Sequence, residues 1–100
     1  MQEKHFNILG LAYRARKIAL GEDLILQAIR SKEAKLVVIA SDSSENTKKK
    51  LTDKCKSYQV PYHLIDNREK LSRALGKDDR VAVAVLDQGF AKKLEQLLGD

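Results

Sequence analysis

Cysteine, proline and tryptophan are almost absent from this 100-residue chain, which contains one, one and none of them respectively. A single cysteine cannot form an internal disulfide, so nothing indicates an oxidising compartment. The longest uninterrupted apolar run, residues 81–86, is far shorter than the roughly 20 residues that a membrane-spanning helix requires. The first residues also lack the cationic start and apolar stretch of a signal peptide. We therefore expect a cytoplasmic protein.

Groups that carry catalytic or metal chemistry are also scarce. His5, His63 and Cys55 have no metal-ligand spacing, which argues against a zinc site. Cys55 is predicted to pack in the core, and His63 to lie on the more exposed face of a strand. The five glycines form no phosphate-binding loop motif, and no serine lies in a nucleophile elbow. The sequence predicts a protein that is not an enzyme and has no metal or cofactor.

Charge, by contrast, is abundant and unbalanced. Charged residues make up 33% of the chain and apolar residues 43%, which suits a single folded domain over residues 1–100. The 19 lysines and arginines outnumber 14 acidic residues, and the resulting net charge of +5 favours a polyanionic partner. Charge alone leaves open a nucleic acid, an anionic membrane and a phosphorylated small molecule.

The apolar pattern alternates between helical and strand periodicity from end to end. Strands are predicted at residues 18–20, 35–40, 60–65 and 80–86, with helices before, between and after them. The inward helix residues are predicted to be Phe6, Leu9, Tyr13; Leu24, Ile25, Ala28, Ile29; Thr47, Leu51, Cys55, Tyr58; Leu71, Ala74, Leu75; and Ala91, Leu94, Leu97, Leu98. This alternation predicts an α/β domain with one sheet between helical layers.

Several residues are predicted to begin or end these helices. The segment 42–45 supplies N-cap candidates for the third helix, and Asp87 is predicted to cap the last one. Asp66 and Glu69 have the spacing of a capping box for the fourth helix. Gly76 is expected just after its end.

Three basic clusters are candidates for a binding surface. Arg14, Arg16 and Lys17 lead into the Gly21 turn and a helix start, where unpaired backbone N–H groups suit a phosphate-bearing partner. Lys77 and Arg80 lie before the last strand. The run of residues 48–50, with two further lysines at 54 and 56, has the pattern of a solvated helix face. The five aromatic residues fall mostly on inward stripes, so structured RNA fits better than an open single strand.

Several segments resemble the L-seven-Ae ribosomal-protein family of kink-turn RNA-binding proteins, which includes the eukaryotic thirty-e ribosomal protein. The resemblance spans nearly the whole chain. It rests on Gly21-Glu-Asp23, Gln27-Ala-Ile-Arg30, Ala34-Lys-Leu-Val-Val-Ile-Ala-Ser-Asp42, Cys55, Val60-Pro-Tyr62, Leu71 with Ala74 and Gly76, and the strand 81–86. Arg14-Ala-Arg-Lys17, Asn46-Thr-x-Lys-Lys50, Asp53-Lys-Cys55 and Asp87-Gln-Gly-Phe90 are closer still to the small bacterial YlxQ-type branch.

The resemblance implies a three-layer α/β/α sandwich with a mixed four-stranded sheet, and no enzymatic activity. It also implies that RNA binds at the start of the second helix, which reads tandem G·A pairs, and at the loop before the last strand, which holds a flipped-out nucleotide. Together with the basic clusters, it predicts a ribosomal or other kink-turn RNA as partner. The predicted RNA-binding residues are Arg14, Arg16, Lys17, Gly21, Glu22, Asp23, Gln27, Lys77 and Arg80.

Two departures from the family pattern fall in this site. Archaeal members have Asn-Glu where this chain has Asp23-Leu24, and a lysine where it has Gln27. Asp23 lacks the amide donor, and Leu24 removes a carboxylate that would accept from guanine. Gly21 matches the family glycine, Lys17 a basic position before it, and Arg80 an arginine of the later loop.

Two alternatives stay open. A protein–protein adaptor would dock an acidic partner on the lysine-rich third helix, and a phosphorylated-ligand binder would need an enclosed pocket. RNA binding predicts positive potential at the Lys17–Asp23 and Lys77–Arg80 junctions, whereas an adaptor predicts it on the third helix. We expect a monomer, possible association with the ribosome, and neither DNA nor a membrane as partner.

Overall fold

The computed structural model describes residues 4–99, in which five helices alternate with four strands. The predicted domain limits, residues 1 and 100, lie outside this range. In chain order the elements are α1 (Lys4–Arg14), β1 (Ile18–Leu20), α2 (Glu22–Arg30), β2 (Leu36–Ala40), α3 (Glu45–Tyr58), β3 (Tyr62–Ile65), α4 (Arg68–Leu75), β4 (Ala82–Val85) and α5 (Gln88–Leu98). The alternation predicted from the periodicity is confirmed.

The strands form one mixed sheet in the order β1-β4-β2-β3. β4 runs antiparallel to both of its neighbours, β1 and β2, while β3 runs parallel to β2. The mixed four-stranded sheet is therefore confirmed, with β2 and β4 at its centre and β1 and β3 at its edges.

Alternate residues of β2 face opposite helical layers, as expected for a strand that is buried on both sides. Leu36, Val38 and Ala40 pack in one core with α1, α4 and α5. Val37 and Ile39 pack in a second core with α2 and α3. All five are buried. The sheet thus lies between two helical layers, and the three-layer sandwich is confirmed.

Three helix starts carry side-chain caps. The Ser44 hydroxyl accepts from the Thr47 N–H at 3.1 Å and the Asp87 carboxylate from the Phe90 N–H at 3.0 Å, so both predicted caps are confirmed. The predicted capping box of Asp66 and Glu69 is wrong. Asn67 is the N-cap of α4 and accepts from the Lys70 N–H at 2.9 Å. The helix starts one residue later than predicted: aspartate and asparagine cap helices equally well, and the Asp66 carboxylate instead lies beside His5 and Lys70.

The predicted inward position of Leu24 is also wrong, since 58% of this residue is exposed. Ile25 and Ile29 form the centre of the buried face of α2, with Ala28 on one side of them and Leu26 on the other. Successive residues of an α-helix are rotated by about 100°, so Leu24 lies on the side of Ile25 away from Leu26 and beyond the edge of that face. Of the other predicted inward residues, Tyr13, Thr47, Tyr58, Ala74 and Leu98 are partly buried and Leu97 is exposed.

Candidate functional site

A cleft of about 200 Å³ opens where the start of α2, the first turns of α3 and the loop before β4 meet. It is lined by Gly21, Glu22, Ile25, Thr47, Leu51, Asp79, Arg80, Val81 and Ala82. The antiparallel pairing of β1 with β4 causes this meeting, because Leu20 at the end of β1 lies opposite Val83 near the start of β4. The two junctions predicted from the sequence, at Gly21 and Arg80, are therefore neighbours.

The first turn of α2 presents backbone donors that no side chain caps. Gly21 is the N-cap, with a φ of 89° that favours glycine, and it makes no side-chain cap hydrogen bond. The side chains of Ser44, Asn67 and Asp87 cap α3, α4 and α5 in turn. The first N–H groups of a helix have no carbonyl partner within it, and the helix dipole adds partial positive charge there. The start of α2 is thus open to an acceptor.

Two residues of α4 fix the loop before β4. The Ser72 hydroxyl accepts from the Arg80 N–H at 2.7 Å and donates to the Arg80 carbonyl at 3.3 Å. The Arg68 guanidinium donates to the Asp79 carboxylate at 3.3 Å, beside a backbone φ of 52° at Asp79. The main chain that carries Arg80 is therefore held from the neighbouring helix.

Ion pairs offset the acidic side chains of the cleft and leave Arg80 without a carboxylate partner among the described residues. Glu22 accepts from the Lys50 ammonium at 2.7 Å, and this hydrogen bond, together with the attraction of the two charges, raises the pKa of Lys50. Asp79 is paired with Arg68. Arg80 has no ion pair within residues 4–99, and its buried Nε finds no acceptor there. Since a buried donor without a partner costs about 1–3 kcal/mol, this end of the cleft favours an incoming acceptor.

Two predicted residues form the outer lip of the cleft rather than its wall. Asp23 and Gln27 are exposed and lie four residues apart on α2, so they share one face of the helix. Leu24 lies next to them on the same outward side. This face offers carboxylate and amide groups to anything that covers the start of α2.

Lys77 lies outside the cleft. Its ammonium lies 5.6 Å from the centre of the Tyr13 ring, over α1, and its side chain lines a separate groove along α4. Asp79 lines both spaces. Lys77 therefore belongs to the flank of the site on the α4 side.

The expected single patch joining the first basic cluster to Gly21 is wrong. Arg16 and Lys17 precede β1 and line a groove with Lys32 and Leu86, at the end of β4. The Lys17 carbonyl accepts from the Leu86 N–H at 2.8 Å. Gly21 follows β1 and lies at the opposite end of the sheet, since a strand of this length separates the two groups by about 13 Å at roughly 3.3 Å per residue. Arg14 is the last residue of α1 and is exposed; like Lys17, it precedes β1 in the chain.

Sequence analysis did not predict that α3 forms the third wall of the cleft. Thr47 and Leu51 belong to the stripe of α3 that the periodicity predicts as core, and Lys50 belongs to its basic run. Helical spacing predicts which face of α3 turns inward, but not that its first turns approach α2. The 2.7 Å contact between Lys50 and Glu22, 28 residues apart, depends on that tertiary packing.

The fold and the cleft together define a small basic α/β/α protein whose site presents hydrogen-bond donors. Within the described range, no group of His, Cys, Asp or Glu side chains is arranged to hold a metal ion, and no helix there is long and apolar enough to cross a membrane. The chain belongs to the Ribosomal protein L7Ae/L30e/S12e/Gadd45 family, whose sequence profile matches residues 3–95. The predicted family is therefore confirmed. Its members are non-catalytic, in agreement with the prediction that the chain is not an enzyme.

Relatives cover nearly the whole chain. A Bacillus subtilis protein named RNA-binding protein YlxQ is 56% identical over 93 residues, which make up 93% of each chain. The structure of a Bacillus halodurans protein of unknown function is 43% identical, with a TM-score of 0.95 and coverage of 99% of this chain and all of that one. A Giardia lamblia 15.5kD RNA binding protein is 18% identical, with a TM-score of 0.81 and coverage of 99% and 91%, and shows the shared fold.

Proposed function

We propose that the protein binds a kinked, structured RNA of the kink-turn type, in the manner of a ribosomal protein, and acts in the cytoplasm. The observation that carries the proposal is the cleft, in which the uncapped start of α2 and the loop of Arg80 face the same space. Family membership and the name of the Bacillus subtilis relative support RNA as the ligand.

Each part of the cleft has a role in this proposal. Gly21 lets the RNA backbone approach closely, because a Cβ built there would meet no atom within 4 Å and the space beside it is open. The first N–H groups of α2 donate to phosphate or base oxygens. Arg80 contacts a phosphate or a guanine edge through its unpartnered guanidinium, which suits both. Asp23 and Gln27 face base edges from the outer lip.

The pairing of acidic side chains favours an anionic ligand at this place. Glu22 and Asp79 would repel phosphate if they were free, but Glu22 is paired with Lys50, and Asp79 with Arg68, which it shares with Asp42. Arg80 keeps its full charge beside the helix start. The cleft therefore combines a point charge with oriented backbone donors, the arrangement that binds phosphate groups in proteins.

A titration against two RNAs tests the proposal. One RNA is a kink-turn and the other a matched duplex in which the G·A pairs are replaced, each measured at two salt concentrations. We expect a preference for the kink-turn that survives the higher salt. Equal and steeply salt-dependent binding to both would mean generic phosphate attraction and would reject kink-turn recognition.

The Arg80→Ala variant tests the cleft itself. Loss of a direct contact should weaken binding of the kink-turn RNA by roughly 1–3 kcal/mol. Arg73→Ala is the matched control, since Arg73 is an exposed arginine of α4 that is paired with Glu69, one turn earlier, and does not line the cleft. If both variants lose the same affinity, Arg80 makes no specific contact and the cleft is not the binding site.

A further inference from the structure

A second basic surface lies at the end of the sheet opposite the cleft. We call it the basic groove: a space of about 380 Å³ lined by Arg16, Lys17, Lys32, Glu33, Lys35 and Leu86. The turn after α1 supplies two of its cations, and the segment between α2 and β2 supplies the other two. Four cations thus line the groove with a single carboxylate, and Lys32 and Lys35 also line a neighbouring space beside Gln59 and Val60. Sequence spacing does not predict that the two segments meet.

The cations of the basic groove keep their charge. None of the four forms an ion pair with any residue in the range 4–99. The Lys32 ammonium donates to the Tyr58 carbonyl at the end of α3, and the Lys35 ammonium to the Lys32 carbonyl at 3.2 Å. A neutral carbonyl orients an ammonium without cancelling its charge, and each ammonium retains further donors. This differs from the run on α3, where lysines 48, 49 and 50 are all paired with carboxylates.

Two of the four cations occupy a backbone conformation that usually belongs to glycine. Arg16 has a φ of 62° just after α1, and Lys32 has a φ of 66° just after α2. At such helix ends glycine adopts the left-handed conformation without the Cβ penalty. The chain nevertheless carries a long cationic side chain at both positions, and both face the same groove. Strained non-glycine residues of this kind cluster at ligand-binding sites.

We propose that the basic groove holds the sugar-phosphate backbone of an RNA arm that extends from the cleft. This inference rests on the proposed function. Along edge strand β1, about 13 Å separates Lys17 in the groove from Gly21 in the cleft, at roughly 3.3 Å per residue. A nucleic-acid duplex carries about one phosphate per 1.7 Å of axis, so one arm presents several phosphates over that distance.

The lining of the basic groove favours RNA over a protein partner. Protein interfaces depend on apolar or aromatic anchors that are buried in pockets. Leu86 is the one apolar residue among those lining the groove, and it is already partly buried in the α2 side of the core. Cations without anchors match a ligand with a regular array of negative charges.

The first test removes two charges from the groove and varies the length of the RNA. Lys32→Gln/Lys35→Gln keeps an N–H donor for each carbonyl partner. We expect affinity for a kink-turn RNA with both arms extended by a helical turn to fall about tenfold or more at 0.1 M salt. The slope of log K against log[salt] should become shallower by the equivalent of about two phosphate contacts. A kink-turn RNA with minimal arms should bind as before. Lys92→Gln/Lys93→Gln on α5 is the control with the same loss of charge at two exposed lysines.

The second test separates the side chain of Arg16 from its backbone strain. Arg16→Gly should raise the melting temperature and weaken binding of the extended RNA. Gln59→Gly relieves a similar φ of 59° at the end of α3 without a change of charge, and should raise the melting temperature alone. If Arg16→Gly is more stable and binds the extended RNA as tightly as the unaltered protein, the cation has no part in binding.

The outcomes distinguish this inference from the proposed function. Equal losses for the groove variant and the α5 control, or equal losses for long and short arms, overturn the basic groove while leaving kink-turn recognition intact. Conversely, a protein that does not prefer the kink-turn contradicts the proposed function, and the dependence on arm length still decides whether the groove contacts RNA.

Discussion

The main chain of Arg80 is held by hydrogen bonds, whereas its guanidinium has no partner in the described chain. The Ser72 hydroxyl bonds to both its N–H and its carbonyl, while Nε is buried without an acceptor in the described chain. A fixed main chain limits the conformations that the guanidinium must give up on binding, and so lowers the entropic cost of the contact. We therefore expect Arg80→Ala to weaken RNA binding more than Arg73→Ala, because the Arg73 side chain is exposed and no side chain of the described structure holds its main chain in this way.

Cys55 is a potentially reactive residue that the fold keeps away from solvent. The thiol is fully buried in the core between the sheet and α3, and burial raises its pKa to about 11. Because the thiolate is the nucleophile, we predict no alkylation by iodoacetamide at pH 7–8 in the folded protein and complete alkylation in denaturant. Mass spectrometry measures both. Rapid labelling of the folded protein would mean that α3 opens from the sheet.

The same raised pKa makes a contribution to stability that depends on pH. The folded protein holds the thiol proton more tightly than the unfolded chain, whose pKa is the ordinary 9.0. The contribution of Cys55 is therefore fully present below about pH 9 and is lost as the pH rises through 11. Comparison of Cys55→Ala with the unaltered protein across this range isolates it.

Among the helix starts of α2, α3, α4 and α5, that of α2 alone lacks a side-chain cap. Its outward residues Asp23 and Leu24 differ from the Asn-Glu of the archaeal family members that the sequence resembles. We predict that Asp23→Asn/Leu24→Glu increases the preference for a kink-turn over the matched duplex, because it restores an amide donor and a carboxylate acceptor. Stability should change by no more than about 0.5 kcal/mol, since both residues are exposed.

The control for this variant is Leu11→Glu. Leu11 is another exposed leucine, on α1, and 46% of it is accessible to solvent. The control introduces the same glutamate side chain away from the cleft, with one negative charge more than the charge-neutral double variant, and should leave the preference unchanged. If the two variants shift the preference equally, or if neither does, α2 does not read base pairs through these two positions.

The elements themselves were largely predictable, whereas their neighbours in space were not. The β-branched run of β2 and the short strand at 18–20 were located from periodicity alone, because the alternation of side chains is a local property. The pairing of β1 with β4 joins segments more than 60 residues apart, and no local pattern specifies it. For the same reason, sequence alone predicts Gly21 and Arg80 as two separate junctions, although the structure brings them together. It also groups Lys17 with Gly21, although β1 lies between them. The function of each predicted residue stays a prediction.

On the scale of the whole molecule, the distribution of ion pairs matters more than the net charge of +5. The three consecutive lysines of α3 pair with Glu45, Asp53 and Glu22 at 3.2, 3.3 and 2.7 Å. The cations at the ends of the sheet, Arg80 at one and the basic groove at the other, have no such partners in the described structure. The charge of this lysine run is therefore offset by carboxylates, whereas that of Arg80 and the basic groove is not, which supports RNA over an adaptor docked on the run.

A variant of α3 tests this distribution. Lys49→Gln/Lys54→Gln removes two charges from α3, one of them paired with Asp53. Exposed ion pairs contribute roughly 0–1 kcal/mol, so stability should hold. Because neither residue lines the cleft or the basic groove, we expect the preference for the kink-turn to be unchanged and only the salt dependence to weaken. The RNA titration measures both. If this variant loses more affinity than Arg80→Ala, the RNA-binding surface lies on α3, and the cleft is not the site.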